Sequence, residues 1–248
     1  MLLEGTEVTL SYGGVRALDG VDVTIQKGEV LGIIGPNGAG KTTLFNAISG
    51  LVPLAKGQIV FNGRVLKGMS PHRITKLGIA RTFQIVKPFS RLTVRENVTI
   101  GAFYGSRTRR SMAEAYRVVD TVLQQVGLDS RKNSYARDLS VIEQKKLELA
   151  RALATNAQLI LLDEVMAGLG TGDIDRLSEL LISLKKEGYA LMVVEHVMRA
   201  VMTISDRVIV LHHGQKIAEG TPDSISRDDT VIAAYLGERY AKAKEARG

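Results

Sequence analysis

The chain has 248 residues, no cysteine, a formal net charge of +7 and an apolar fraction of 45%, which suits one large α/β domain or one core domain with an insertion. Without cysteine there is no disulfide, thiolate metal site or thiol nucleophile. No stretch reaches the roughly 18 uncharged apolar residues of a membrane span, and Met1 to Glu4 lacks the basic and apolar regions of a signal peptide, so a cytoplasmic location is expected.

Residues 1 to 29 alternate apolar and polar side chains, as in Val21-Asp22-Val23-Thr24-Ile25, broken at Ser11-Tyr12-Gly13-Gly14 and Lys27-Gly28-Glu29. This predicts an antiparallel hairpin region. Tyr12 has two readings: an aromatic packed on the sheet, or a ring stacked on adenine. Val30 to Ile34 is an apolar run that reads as a buried strand, and Leu44 to Gly50 reads as a helix. Between them lies Gly35-Pro36-Asn37-Gly38-Ala39-Gly40-Lys41-Thr42-Thr43, which satisfies G-x-x-x-x-G-K-T in a strand-to-helix turn. A triphosphate gives up well-ordered water only if many donors replace it at once. Glycines let successive backbone N–H groups point inward, and the helix beginning near Lys41 adds its positive end. Lys41 then reaches the outer phosphates, and the Thr42 hydroxyl is placed to coordinate Mg²⁺.

Gly57 to Gly63 reads as a short strand closing in a turn, and Pro71 to Gly78 as a short helix with proline in its first turn and glycine at its end. Ile79 to Gln84 follows as a strand ending in an amide, a candidate ligand for Mg²⁺ or water. From Ile85 to about Ser134 the spacing turns helical, at Val94, Val98 and Met112 to Val126, which predicts a helical subdomain. The cluster Arg107-Thr108-Arg109-Arg110 and the later Lys242-Ala243-Lys244 are basic but lack interleaved aromatics, so no nucleic-acid partner is expected. A helix starts at Leu139, where Ser140 and Glu143 have capping-box spacing and Leu147, Ala150 and Leu153 form an apolar stripe. Its free N–H groups make it a second candidate phosphate site.

Gln158 to Glu164 is an apolar strand ending in two carboxylates, an expensive placement unless a metal or proton transfer uses them. The division of labour expected is Asp163 to the Mg²⁺ shell and Glu164 to the attacking water. A helix from about Asp173 to Glu187 leads to the buried strand Ala190 to Val194, which ends at Glu195-His196. His196 thereby ends a parallel strand at the ligand-gathering edge, which favours a γ-phosphate contact over a structural hydrogen bond. Arg207 to Leu211 and Gln215 to Gly220 complete a hairpin, and Tyr235 to Arg247 is a charged helix or tail.

Taken in order, Tyr12, the Gly35 to Thr43 loop, Gln84, the helical segment, Leu139-Ser140, Asp163-Glu164 and His196 resemble an ATP-binding cassette ATPase from Leu2 to Gly237. The resemblance implies a mainly parallel α/β core with an N-terminal antiparallel β subdomain and a helical insertion. The expected division is a core at 1–84 and 154–237, a helical subdomain at 85–153 carrying the signature helix, and a basic tail at 238–248. It also implies ATP and Mg²⁺ as cofactors, Gln84, Glu164 and His196 as catalytic groups, and Thr42, Gln84 and Asp163 around the metal. Two such cassettes would dimerise head to tail at the cytoplasmic face of a membrane. Each ATP would then lie between one loop and the other's Ser140 to Glu143 signature, and closure would drive permease subunits fed by a solute-binding protein. Gly78 to Gln84, Leu92 to Val98, Met166 to Leu169, Ala218 to Pro222 and Ala234 to Gly237 are similar to the ATPase of branched-chain amino-acid importers, with the urea importer as near neighbour.

Five positions depart from that pattern. Val141 and Ile142 stand where two small residues, often glycines, are usual, and Glu143 stands where glutamine is. A carboxylate about 4 Å from a phosphate charge repels it by about 1 to 4 kcal/mol, depending on screening, and Ile142 is expected to obstruct close approach. Val165 replaces a proline, and Gly170 replaces the usual Asp or Asn of the crossing loop. These departures favour an unequal heterodimer over a homodimer and leave open a regulatory cassette of low turnover, whereas a cassette acting on nucleic acid or ribosomes usually fuses two such units, which argues against that reading.

Overall fold

The computed structural model describes residues 1–82, 88–105 and 111–235. The alternating N-terminal region forms β1 (Leu3–Tyr12) and β2 (Val15–Ile25), paired antiparallel. After β3 (Val30–Ile34) and α1 (Lys41–Ile48), β4 (Lys56–Phe61) returns to β1, and β5 (Arg64–Val65) pairs on β4. The result is an antiparallel sheet ordered β2-β1-β4-β5. α2 (Pro71–Leu77) starts on its proline and stops at Gly78 in the left-handed region, as the sequence predicts. β6 (Ile79–Arg81) follows, and Phe83 and Gln84 lie outside the described residues.

The helical region holds α3 (Val94–Tyr104), α4 (Met112–Gln125) and α5 (Val141–Ala154). Each opens with a complete capping box, at Thr93/Glu96, Ser111/Glu114 and Ser140/Glu143. Then come β7 (Leu159–Asp163), α6 (Thr171–Lys186), β8 (Ala190–Val194), α7 (Met198–Ile204), β9 (Arg207–His212), β10 (Gln215–Gly220) and α8 (Pro222–Ser226). α6 begins at Thr171, two residues before the expected Asp173, and Gly170 caps it with no side-chain hydrogen bond. No described helix is long and apolar enough to cross a membrane.

The second sheet runs β10-β9-β3-β8-β7-β6, parallel except for the β9–β10 hairpin. Because strand side chains alternate between faces, Leu159 and Leu161 of β7 pack into the core shared with β1, β2, β4 and α1. Ile160 and Leu162 pack on the opposite face, into the core of α3 to α6. Both faces are covered, which is why these strands read as continuous apolar runs. Parallel order sends the C-terminal ends of β3, β6, β7 and β8 to one edge. Ile33 is in register with Val194, and Val194 with Asp163.

Candidate active site

The loop after β3 is closed by packing at its base and open at its apex. Gly35 and Gly40 are buried. A Cβ on Gly35 would stand 2.0 Å from the Leu211 carbonyl oxygen, and one on Gly40 would stand 2.6 Å from that of Ala17, so neither position accepts a side chain. Pro36 and Ala39 are buried beside them, whereas Asn37 and Gly38 are exposed. Gly38 has φ +75 and nothing within 4 Å of where a Cβ would be. The β9–β10 turn supports the loop from behind: Gly214 N–H donates to the Ala39 carbonyl at 3.1 Å.

The first N–H groups of α1, those of Lys41, Thr42 and Thr43, have no intrahelical acceptors, and Gly40 supplies no side-chain cap. They and the helix dipole form a ready receptor for an anion. Lys41 is buried, its ammonium donating to the carbonyls of Gly35 at 2.5 Å and Pro36 at 2.8 Å. The cation is therefore held inside the loop. Thr42 is exposed and Thr43 half-buried. A cradle lined by backbone N–H groups around a captive ammonium fits the phosphates of a nucleotide.

Two carboxylates end β7 in different settings. Asp163 is buried, and its Oδ2 accepts from Arg81 Nη2 at 2.8 Å, leaving Oδ1 without a hydrogen bond among the described residues. Arg81 Nη1 also donates to Asn46 Oδ1 at 2.7 Å and Ser49 Oγ at 3.2 Å, so one guanidinium joins β6, α1 and β7. Glu164 adopts φ +50, a left-handed backbone that side chains seldom take. Its N–H donates to the Val194 carbonyl at 2.9 Å. Its Oε1 lies 2.8 Å from His196 Nε2, a contact that places an imidazole proton on Nε2 when the carboxylate is ionised.

Sequence reasoning singled out His196 but missed its neighbour. Glu195 is buried with 2% of its surface exposed, and its Oε1 accepts the Met166 N–H at 2.7 Å. Burial pushes its carboxyl up to about 7, against the opposing pull of the Met166 and His196 N–H groups. Lys145, buried on α5, donates to the Glu164 carbonyl at 3.4 Å. Sequence reasoning gave Arg81, Glu195 and Lys145 no role. For Arg81 and Glu195 the signal was a charge at the end of an apolar strand, whereas Lys145 sits in the charged run Glu143 to Lys146 and gave none.

The Ser140 region corrects two expectations. The Glu143 carboxylate does not project from the helix end. Its Oε2 turns back to accept from Ser140 N at 2.8 Å and Ser140 Oγ at 2.9 Å, while Oε1 is 3.2 Å from Arg131 Nε. The Ser140 N–H, then burial in opposition and the Ser140 hydroxyl with Arg131, leave its pKa below the ordinary range. Nor does Ile142 stand out from the helix end: it packs half-buried against the helical core, and Val141 is the exposed residue, at 56%. Ser140 and Glu143 make no hydrogen bond to the sheet edge among the described residues. Tyr12 ends β1 and is 48% exposed, so its ring is not packed beneath the sheet. Gln84, Arg107 to Arg110 and the tail from Leu236 lie outside the described residues.

One sheet edge thus unites the Gly35 to Thr43 loop, Asp163, Glu164 and His196. The sequence profile described as ABC transporter matches residues 18–167, and that described as branched-chain amino acid ATP-binding cassette transporter matches residues 215–241. The high-affinity branched-chain amino acid transport ATP-binding protein BraF of Pseudomonas aeruginosa is 36% identical over 96% of this chain and 98% of its own. The similarly described LivG of Escherichia coli K12 is 35% identical over the same shares. The ADP conformation of MJ1267, an ATP-binding cassette of an ABC transporter, aligns with a TM-score of 0.87 at 30% identity, covering 95% of this chain and 98% of that one. A dimeric post-hydrolysis structure of the cassette MJ0796, bound to ADP and Pi, gives 0.78 at 26% identity, covering 89% and 99%. With likeness in sequence and fold extending over nearly its whole length, the chain belongs to the ABC transporter family, as an ATP-binding cassette whose ATP hydrolysis is coupled to transport.

Proposed function

We propose that this cassette powers a membrane importer for branched-chain amino acids, working at the cytoplasmic face against permease subunits that receive solute from a binding protein. The chemistry rests on one observation: Glu164 and His196 meet at 2.8 Å on the edge that carries the phosphate loop. The substrate class rests on the likeness to BraF and LivG.

In this reading the N–H groups of residues 35–43 and Lys41 bind the phosphates, and Tyr12 offers an exposed ring to adenine. Glu164 takes the proton of the attacking water, while His196 orients that carboxylate and contacts the γ-phosphate. Mg²⁺, when bound, neutralises charge on the phosphate oxygens. Thr42 and Asp163 would hold it, with Gln84 as a third ligand. The described residues contain no cluster of three or more His, Cys, Asp or Glu able to hold a metal alone. One hydroxyl and one carboxylate therefore suit an ion that keeps water and phosphate as its other ligands. Residues 1–84 and 154–237 form the nucleotide-binding core, and 85–153 the arm that presents Ser140 to a second cassette.

The second cassette is proposed to differ from this one. Ser140 Oγ donates to Glu143 and accepts from its N–H, so its hydroxyl is already committed within its own helix. Val141 adds exposed aliphatic bulk at the same end. The same observation favours a second reading, a regulatory cassette of low turnover. Uptake of labelled leucine, isoleucine, valine and urea is compared in a strain lacking the chain, complemented by wild type or by Glu164→Gln. Wild type restores branched-chain uptake and Glu164→Gln does not. Urea uptake alone, or full rescue by Glu164→Gln, overturns the importer reading or the catalytic one respectively.

A further inference from the structure

Glu164 is held in a backbone conformation that it would not adopt unaided, and the restraints on its loop come from three elements. From β8, the Val194 carbonyl accepts the Glu164 N–H at 2.9 Å. Within the loop, Ala167 N–H returns to the Glu164 carbonyl at 3.2 Å. From α5, Lys145 Nζ reaches the same carbonyl at 3.4 Å. The remaining restraint is the short bond from Met166 N–H to the Glu195 carboxylate, at 2.7 Å. It is the one side-chain tether between the loop after Glu164 and the strand end that carries His196 among the described residues. A left-handed non-glycine residue persists only where its surroundings over-determine it.

A buried carboxylate is an expensive tether. A neutral acceptor would satisfy one N–H with less desolvation. Glu195 instead accepts the Met166 N–H from the loop, and the N–H of its own neighbour His196 also favours its charged form. The charged groups facing it are Glu164, which opposes its ionisation, and Lys145, which favours it. Glu195 makes no hydrogen bond to the phosphate loop or to Asp163 among the described residues; its partner is the Met166 N–H.

We propose that Glu195 is a positioning residue: by clamping the Met166 N–H it fixes the loop of Glu164 to the strand end of His196, and so holds the two hydrolytic groups in register. This rests on the reading of Glu164 and His196 as that pair. Lys145 extends the clamp to α5, so that the helix presented to a second cassette and the hydrolytic pair are mechanically joined.

The full-length chain is assayed as wild type, Glu164→Gln, Glu195→Ala and Glu195→Gln, with three readouts: MgATP turnover, KM for ATP, and amide hydrogen exchange at residues 164–168 without nucleotide. Glu195→Ala is expected to lower kcat about 10-fold, leave KM within about 2-fold, and speed exchange at Met166 about 10-fold or more. Glu195→Gln keeps an oxygen acceptor for Met166 and is expected to hold kcat within about 3-fold and exchange near wild type. If Glu195→Ala does not fold, Glu195→Asp replaces it with the same expectation, because it keeps the charge but withdraws the acceptor by one methylene. The proposal is overturned if the alanine or aspartate variant matches wild type in turnover and exchange, or if glutamine is as impaired as alanine. Turnover retained by Glu164→Gln would instead sink the underlying reading of the pair, whatever Glu195 does.

Discussion

Arg81 Nη2 donates to Asp163 Oδ2 at 2.8 Å with both side chains almost wholly out of solvent, at 7% and 5% exposure. A buried ion pair contributes little net stability over an apolar pair, but removing one partner strands the other charge in low dielectric. Arg81→Met is therefore expected to lower unfolding stability by about 3 to 5 kcal/mol. Arg81→Met with Asp163→Asn should recover part of that loss. Urea denaturation of wild type, Arg81→Met, Asp163→Asn and the double variant checks it, and strict additivity of the two substitutions would contradict the pairing.

Glu164→Gln should reduce MgATP hydrolysis by about 100-fold or more, the scale of a lost general base. Nucleotide affinity should change little, because the cradle of residues 35–43 is untouched. Phosphate release and titration with a fluorescent ATP analogue measure the two separately.

At the start of α5, Val141 and Ile142 should respond oppositely. Ile142→Gly removes a side chain packed on the helical core and also adds helix-interior glycine, a loss of about 2 kcal/mol or more. Val141→Gly removes an exposed side chain, with a loss of at most about 1 kcal/mol. In the Glu164→Gln background, Val141→Gly should also raise the fraction of ATP-dependent dimer seen by light scattering. An unchanged fraction would mean that Val141 is not the obstacle.

Glu195 makes stability depend on pH. Its carboxyl titrates near 7 in the folded chain against a reference of 4.5, so the folded state holds a proton that the unfolded chain releases. Below pH 4.5 both states are protonated. Stability then falls as pH rises from about 4.5 to about 7, by on the order of 3 kcal/mol, and is level above that. Glu195→Gln removes this slope. Its stability relative to wild type should increase between pH 5 and pH 8, as read from denaturation midpoints at each pH.

Most of the fold was legible because apolar runs bounded by turns do describe strands buried on both faces, as at Val30 to Ile34, Leu159 to Leu162 and Ala190 to Val194. The phosphate loop was legible for a local reason, since its G-x-x-x-x-G-K-T pattern is carried by neighbours in the chain. Arg81 and Glu195 were not, because their meaning lies in partners 82 and 29 residues away. The phase of α5 was readable in principle: Ile142, Leu149 and Leu153 fall on one helical face, which turns Val141 outward. The Ser-x-x-Glu spacing that located this helix also occurs at Ser111, and as Thr-x-x-Glu at Thr93, ahead of α3 and α4.

The strand that carries the phosphate loop lies between β8 and β9, and the Val30 N–H is bonded to Asp206 Oδ2 across 176 residues of chain. The loop itself leans on Gly214. During synthesis, then, the nucleotide cradle emerges well before the strands that flank and complete it. A nascent chain halted before about residue 190 carries every glycine of the loop without the two strands that shape it, and ATP can reward folding only once β8 and β9 have been made.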